Sequence, residues 1–139
     1  MNETRALVID ASVAVKWFAT HDEDSIEEAA GLLEAHGEGQ VALIGPALLV
    51  HELMHVLRRR KREVSDLPAA MDGFFDAGVA LVAPDRDLMI STARLCGERQ
   101  ISTSDATYAA LALALDCELV TADRRLARAL DGVCLVRVL

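Results

Sequence analysis

Little in this sequence punctuates or staples the chain. Three prolines and eight glycines are spread through 139 residues. Neither they nor the serines gather into a linker, so nothing marks an internal boundary and residues 1–139 read as a single domain with one core. The three cysteines, Cys96, Cys117 and Cys134, lie far apart without a C-x-x-C spacing, which excludes a disulfide framework and a cysteine-bound zinc and leaves them as small core residues. Aromatics are scarce, with one tryptophan, one tyrosine and three phenylalanines. That is too few for a base-stacking platform, so Trp17 reads as a packing residue at a helix end. No apolar run approaches the roughly 18 residues of a membrane span. The apolar start, ALVI, is too short for a secretory signal and runs straight into a charge, so a cytoplasmic protein without a membrane partner is expected. Excess positive charge is also missing: the formal net charge is −8, which excludes attachment to nucleic acid through the bulk field and requires any such contact to be local. The one basic run, Arg58 to Arg62, is consistent with a solvated helix end whose cations complement the helix dipole.

What is present is hydrophobic pattern. ALVI (6–9), QVALIG (40–45), VALVA (79–83), ELVT (118–121) and VCLVRVL (133–139) are short apolar runs that read as strands. Between them lie helical patterns at 11–18, 25–36, 47–60, from Asp66 onward, from Asp85 to about Cys96, at 105–115 and at 124–130. Pro46 suits the first position of the 47–60 helix, and DATYAALALAL (105–115) is apolar nearly all round, the mark of a buried helix. Strands of continuous rather than alternating apolar character, separated by helices, indicate an α/β fold: a three-layer α/β/α sandwich with a central parallel sheet.

In such sheets ligands bind outside the carboxyl ends of the strands. Asp10 follows the first strand, Asp123 follows ELVT by two residues, and Asp105 stands at the start of the buried helix. Each is explained singly as a helix cap. Glu52 adds a fourth acid, on the border of the apolar arc formed by Leu49, Val50, Leu53, Val56 and Leu57. A carboxylate at a core edge is costly unless paired, and one shared divalent cation would serve all four. Oxygen donors suit Mg²⁺ or Mn²⁺, and such a cluster without a glycine-rich nucleotide loop points to phosphodiester hydrolysis.

The sequence here resembles a PIN domain, and in particular the toxin ribonucleases of VapBC toxin–antitoxin pairs. The resemblance covers nearly the whole chain. VIDASVAVKWF (8–18) is similar to the opening motif, with Asp10, Ser12 and Trp17; VHELMHVLRR (50–59) to the helix giving the second acid, Glu52; SDATYAALALAL (104–115) to the third, Asp105; and LVTADRRL (119–126) to the fourth, with Thr121 and Asp123. Ile101 to Ser104 depart from the usual residues before the third acid. The resemblance implies a Mg²⁺- or Mn²⁺-dependent endoribonuclease toxin of a type II toxin–antitoxin system. In it Asp10 and Asp105 are metal ligands, Glu52 and Asp123 complete the site, and Ser12 and Thr121 support it. Cleavage would leave a 5′-phosphate and a 3′-hydroxyl. It also implies a homodimer, a VapB-type antitoxin with a basic tail, and an RNA substrate, whose phosphates Arg58, Arg59 and Arg62 are candidates to contact.

Two rival readings differ in class. HELMH (51–55) has the H-E-x-x-H spacing of zinc peptidases, but no third ligand follows at a suitable spacing, and His21 and His36 lie upstream in polar settings expected to be exposed. The other rival is a catalytically inactive PIN-fold binding module, which the presence of all four acids disfavours.

Overall fold

The structure is a computed structural model and describes residues 3–19, 24–61 and 63–139. Among the described residues five parallel strands form the sheet: β1 (Arg5–Ile9), β2 (Val41–Pro46), β3 (Ala80–Val82), β4 (Glu118–Thr121) and β5 (Val136–Val138), in the order β3-β2-β1-β4-β5. Leu7, Val8 and Ile9 of β1 and Leu119, Val120 and Thr121 of β4 are all buried. Consecutive buried residues need cover on both faces of the sheet, the condition that continuous apolar strands signal.

Helices supply that cover. α1 (Ala11–Ala14) continues as a 3-10 turn at Val15–Phe18 and is followed by α2 (Ile26–Gly37), α3 (Leu48–Arg59) and α4 (Leu67–Asp76). α5 (Arg86–Arg99), α6 (Thr103–Ala114) and α7 (Arg124–Ala129) complete the chain. α2 and α3 pack on β2, and α3 also meets α1 and α4; α6 lies across β1, β2 and β4 with α5 against it, and α7 covers β4 and β5. Strand order runs outward from β1 to β3 and then returns past β1 to β4 and β5, so the helices divide between the two faces and form a three-layer α/β/α sandwich. Leu49, Leu53 and Leu57 of α3 are fully buried, and Trp17 stacks on Phe74 at 6.4 Å while its indole N–H donates to Ala29 O at 2.8 Å.

Several boundaries differ from the sequence expectation. Pro46 closes β2 instead of opening α3, which starts at Leu48. Pairing of β2 with β1 ends at Ile44, so the proline falls where the missing N–H no longer interrupts a two-sided ladder. α6 begins at Thr103, with Ser102 as its cap, so Asp105 is inside the first turn and caps nothing. The last strand is confined to Val136–Val138, because a turn at Leu130–Val133 occupies the start of the expected run. His36 is half-buried instead of exposed, and its Nδ1 accepts from Leu43 N at 3.1 Å, a structural bond from α2 to β2. No described helix is long and apolar enough to cross a membrane.

Candidate functional site

Strand order reverses between β1 and β4, and the carboxyl ends of these two strands open a crevice where α/β sheets place ligands. Asp10 follows β1 directly. It caps α1 by accepting from Ser12 N at 3.1 Å, and the same oxygen accepts from Ser12 Oγ at 2.5 Å. Its other oxygen accepts from Thr121 Oγ1, at the end of β4, at 2.7 Å. The two hydroxyls are tied in turn to the β4–α7 loop: Ala122 N donates to Ser12 Oγ at 2.8 Å and Asp123 N to Thr121 Oγ1 at 2.9 Å. One buried carboxylate thus fixes the geometry of both strand ends. Asp123 caps α7, accepting from Arg125 N at 2.9 Å and Leu126 N at 3.3 Å.

Glu52 projects from α3 toward α6, where Tyr108 Oη donates to its Oε1 at 2.6 Å. Asp105 is buried in the first turn of α6, and Arg125 from α7 reaches across to it, Nη1 to Oδ2 at 3.0 Å and Nη2 to Oδ1 at 3.4 Å. Nη2 of Arg125 also lies 3.5 Å from Asp123 Oδ2. All four acids line one cleft of about 660 Å³.

The electrostatics of this cleft are those of buried carboxylates with like charges beside them. Burial pushes the Asp10 carboxyl above its ordinary range; the bonds from Ser12, Thr121 and the Val13 backbone oppose this, and Asp123 adds to it. Burial also raises Glu52, against the Tyr108 bond and with the help of Asp10 and Asp105. Tyr108 is held well above the usual phenol range, first by burial and then by its bond to Glu52, so it stays a donor at neutral pH. The donor set is carboxylate and hydroxyl oxygen, which fits a hard divalent cation better than zinc. Among the described residues, however, no three acidic, histidine or cysteine side chains converge closely enough to enclose an ion. Asp105 faces a guanidinium and Glu52 a phenol.

The PIN domain family matches residues 7–131. The chain belongs to the PIN domain family. Solved structures with the same fold include the VapBC2 complex of Rickettsia felis bound to a DNA fragment from its promoter, at 15% identity and TM-score 0.71, covering 96% of this chain and 98% of that one. A second is VapC20 of Mycobacterium tuberculosis, a sarcin-ricin loop cleaving toxin, at 16% identity and TM-score 0.67, covering 88% and 94%. A third is a toxin–antitoxin complex from Klebsiella pneumoniae, at 18% identity and TM-score 0.66, covering 95% and 96%. No curated protein matches the sequence significantly.

Within this PIN domain the six residues singled out around the acids, Asp10, Ser12, Glu52, Asp105, Thr121 and Asp123, come together at one strand edge. The basic run does not join them as a block. Arg58 and Arg59 are exposed away from the cleft lining, Arg60 lines it and pairs with Glu63 at 3.5 Å, and Arg62 lies outside the described residues. His51 and His55 are exposed at the cleft mouth, and no third ligand joins them among the described residues; His21 is outside these. The sequence pointed to no part for Arg125. Tyr108 belongs to both core and cleft: it is buried, with its hydroxyl bonded to Glu52.

Proposed function

We propose that this PIN domain is a metal-dependent endoribonuclease toxin of the VapC type, paired with a VapB-type antitoxin. The observation that carries the reading is the meeting of Asp10, Glu52, Asp105 and Asp123 in one cleft at the β1/β4 switch point. The likeness of fold to toxins, one of which cleaves the sarcin-ricin loop, supports it as analogy. Asp10 and Asp105 are the residues to hold Mg²⁺ or Mn²⁺, with Glu52 and Asp123 completing the set. When bound, the cation supplies Lewis acidity toward a phosphoryl oxygen and a water nucleophile.

The protein's own part is positioning. Ser12 and Thr121 donate to Asp10, so its lone pairs have a fixed direction before any ligand arrives. Tyr108 does the same for Glu52. The cleft mouth carries cationic Arg60 and Arg125 beside the acids, an arrangement suited to a phosphodiester whose charge the four acids alone would repel. An antitoxin with a basic tail would find the same acids, and a homodimer is proposed by analogy with the toxin complexes.

The test is cleavage of a mixed tRNA and rRNA pool by protein purified free of antitoxin, comparing wild type, Asp10→Asn and the pair His51→Ala/His55→Ala, with and without EDTA. Discrete Mg²⁺- or Mn²⁺-dependent cuts should disappear in Asp10→Asn and with EDTA, and persist in the histidine variant. Wild type that cuts no RNA with either metal would sink the ribonuclease reading in favour of an inactive binding module; cuts lost in the histidine variant would revive the zinc motif.

A further inference from the structure

Arg125 pairs directly with two of the cleft's acids, a contact to which the chemistry above gives no part. Its side chain is 63% exposed, yet it spans the 10% exposed side chain of Asp105 through two N–H groups and also approaches Asp123. Of the other cations lining the cleft, Lys16 donates to the backbone carbonyl of Asp24, and Arg60 pairs with Glu63. A carboxylate has about four lone-pair sites, and a forked guanidinium takes one on each oxygen. Arg125 therefore engages both oxygens that Asp105 would offer a cation.

We propose that Arg125 is a built-in stand-in for the divalent cation. In the metal-free protein it bridges Asp105 and Asp123 and offsets their repulsion, and it leaves Asp105 when the metal binds, so it sets the divalent concentration at which the cleft loads. The inference rests on the reading of this cleft as a metal-dependent site. Three observations favour displacement over permanent pairing. The guanidinium is mostly in water, where an ion pair is weak. It is carried by α7, a helix of six residues. And four carboxylates, Asp10, Glu52, Asp105 and Asp123, line the same cleft, more negative charge than one exposed guanidinium offsets.

The experiment measures Mn²⁺ affinity by calorimetry and by the loss of free-ion paramagnetic resonance signal, with no RNA present, for wild type, Arg125→Ala, Arg125→Lys, Asp10→Asn and the double variant Arg125→Ala/Asp10→Asn. Removing a like charge beside the ion should tighten Mn²⁺ binding on the order of tenfold in Arg125→Ala. Arg125→Lys, which keeps the charge and loses the fork, should fall between. Both Asp10→Asn proteins should bind poorly. Unchanged or weaker binding in Arg125→Ala, with wild-type binding still lost in Asp10→Asn, overturns the competition and leaves the metal site standing. No binding by wild type or Arg125→Ala, or tight binding that survives in the double variant, overturns the metal site and the competition together.

Discussion

Tyr108 is buried to 2% exposure, and its hydroxyl ends on a carboxylate that is only half out of water. Tyr108→Phe keeps the ring and deletes that one bond. We expect a loss of about 1 kcal/mol in urea denaturation, since water can replace the donor at Glu52 in part, together with slower RNA cleavage at a fixed metal concentration. A variant as stable and as active as wild type would show that Tyr108 only fills space. Thr121 is the harsher case because it is fully buried and works in both directions, donating to Asp10 and accepting from Asp123 N. Thr121→Val has the same shape and leaves a buried acceptor and a buried donor unpaired. The expected cost is about 2 kcal/mol, with most of it recovered in Thr121→Ser, which keeps the hydroxyl. Equal stability of the valine and serine variants would refute the hydrogen-bonding account.

At the scale of elements, the position of Glu52 depends on how closely α3 approaches the sheet, and Gly45 sets that approach. A Cβ at residue 45 would lie 2.6 Å from Leu49 Cδ2 and 3.5 Å from Ile9 O. Leu49 is fully buried, so it has little room to yield. Gly45→Ala should cost roughly 1–3 kcal/mol through overpacking and should lower activity beyond the fraction unfolded, because α3 carries Glu52. Activity per folded molecule equal to wild type would separate the helix from the site. The strands were legible because residues buried on both faces must be continuously apolar, and Asp10 and Asp123 were legible because caps at strand-to-helix junctions fall at the ligand edge. Asp105 was legible from its place at the start of the apolar helix; only its alternative reading as a cap fails, since it is buried inside the first turn and Ser102 is the cap. Arg125 carried no signal, since an arginine in a short polar helix is ordinary and only the folding of α6 beside α7 gives it partners. Pro46 misled because its fixed φ suits a helix start as well as the last residue of a strand.

Across the whole molecule, the cluster sets stability against use. Asp10 and Glu52 have folded pKa values above their ordinary 3.8 and 4.5, chiefly through burial, so the folded chain holds these protons more tightly than the unfolded one. Their contribution to stability is therefore fully present below the unfolded values and is lost as pH rises through the raised folded values. At neutral pH the metal-free protein carries the cost of buried, mutually repelling charge. Asp10→Asn removes one charge and keeps an acceptor for Ser12, so in EDTA at pH 7 it should be more stable than wild type by on the order of 1 kcal/mol, as substitutions at strained functional sites often are. The advantage should shrink as pH falls and be gone below the ordinary value of 3.8, where Asp10 is protonated in the folded and unfolded chain alike. Urea denaturation of both proteins at a series of pH values reads this directly. An advantage that stays constant with pH, or a wild type already the more stable at pH 7, would mean that buried charge is not what the cleft stores. Mg²⁺ or Mn²⁺ should then raise the stability of wild type but hardly that of Asp10→Asn, because offsetting that buried charge is the free energy the cleft offers a cation.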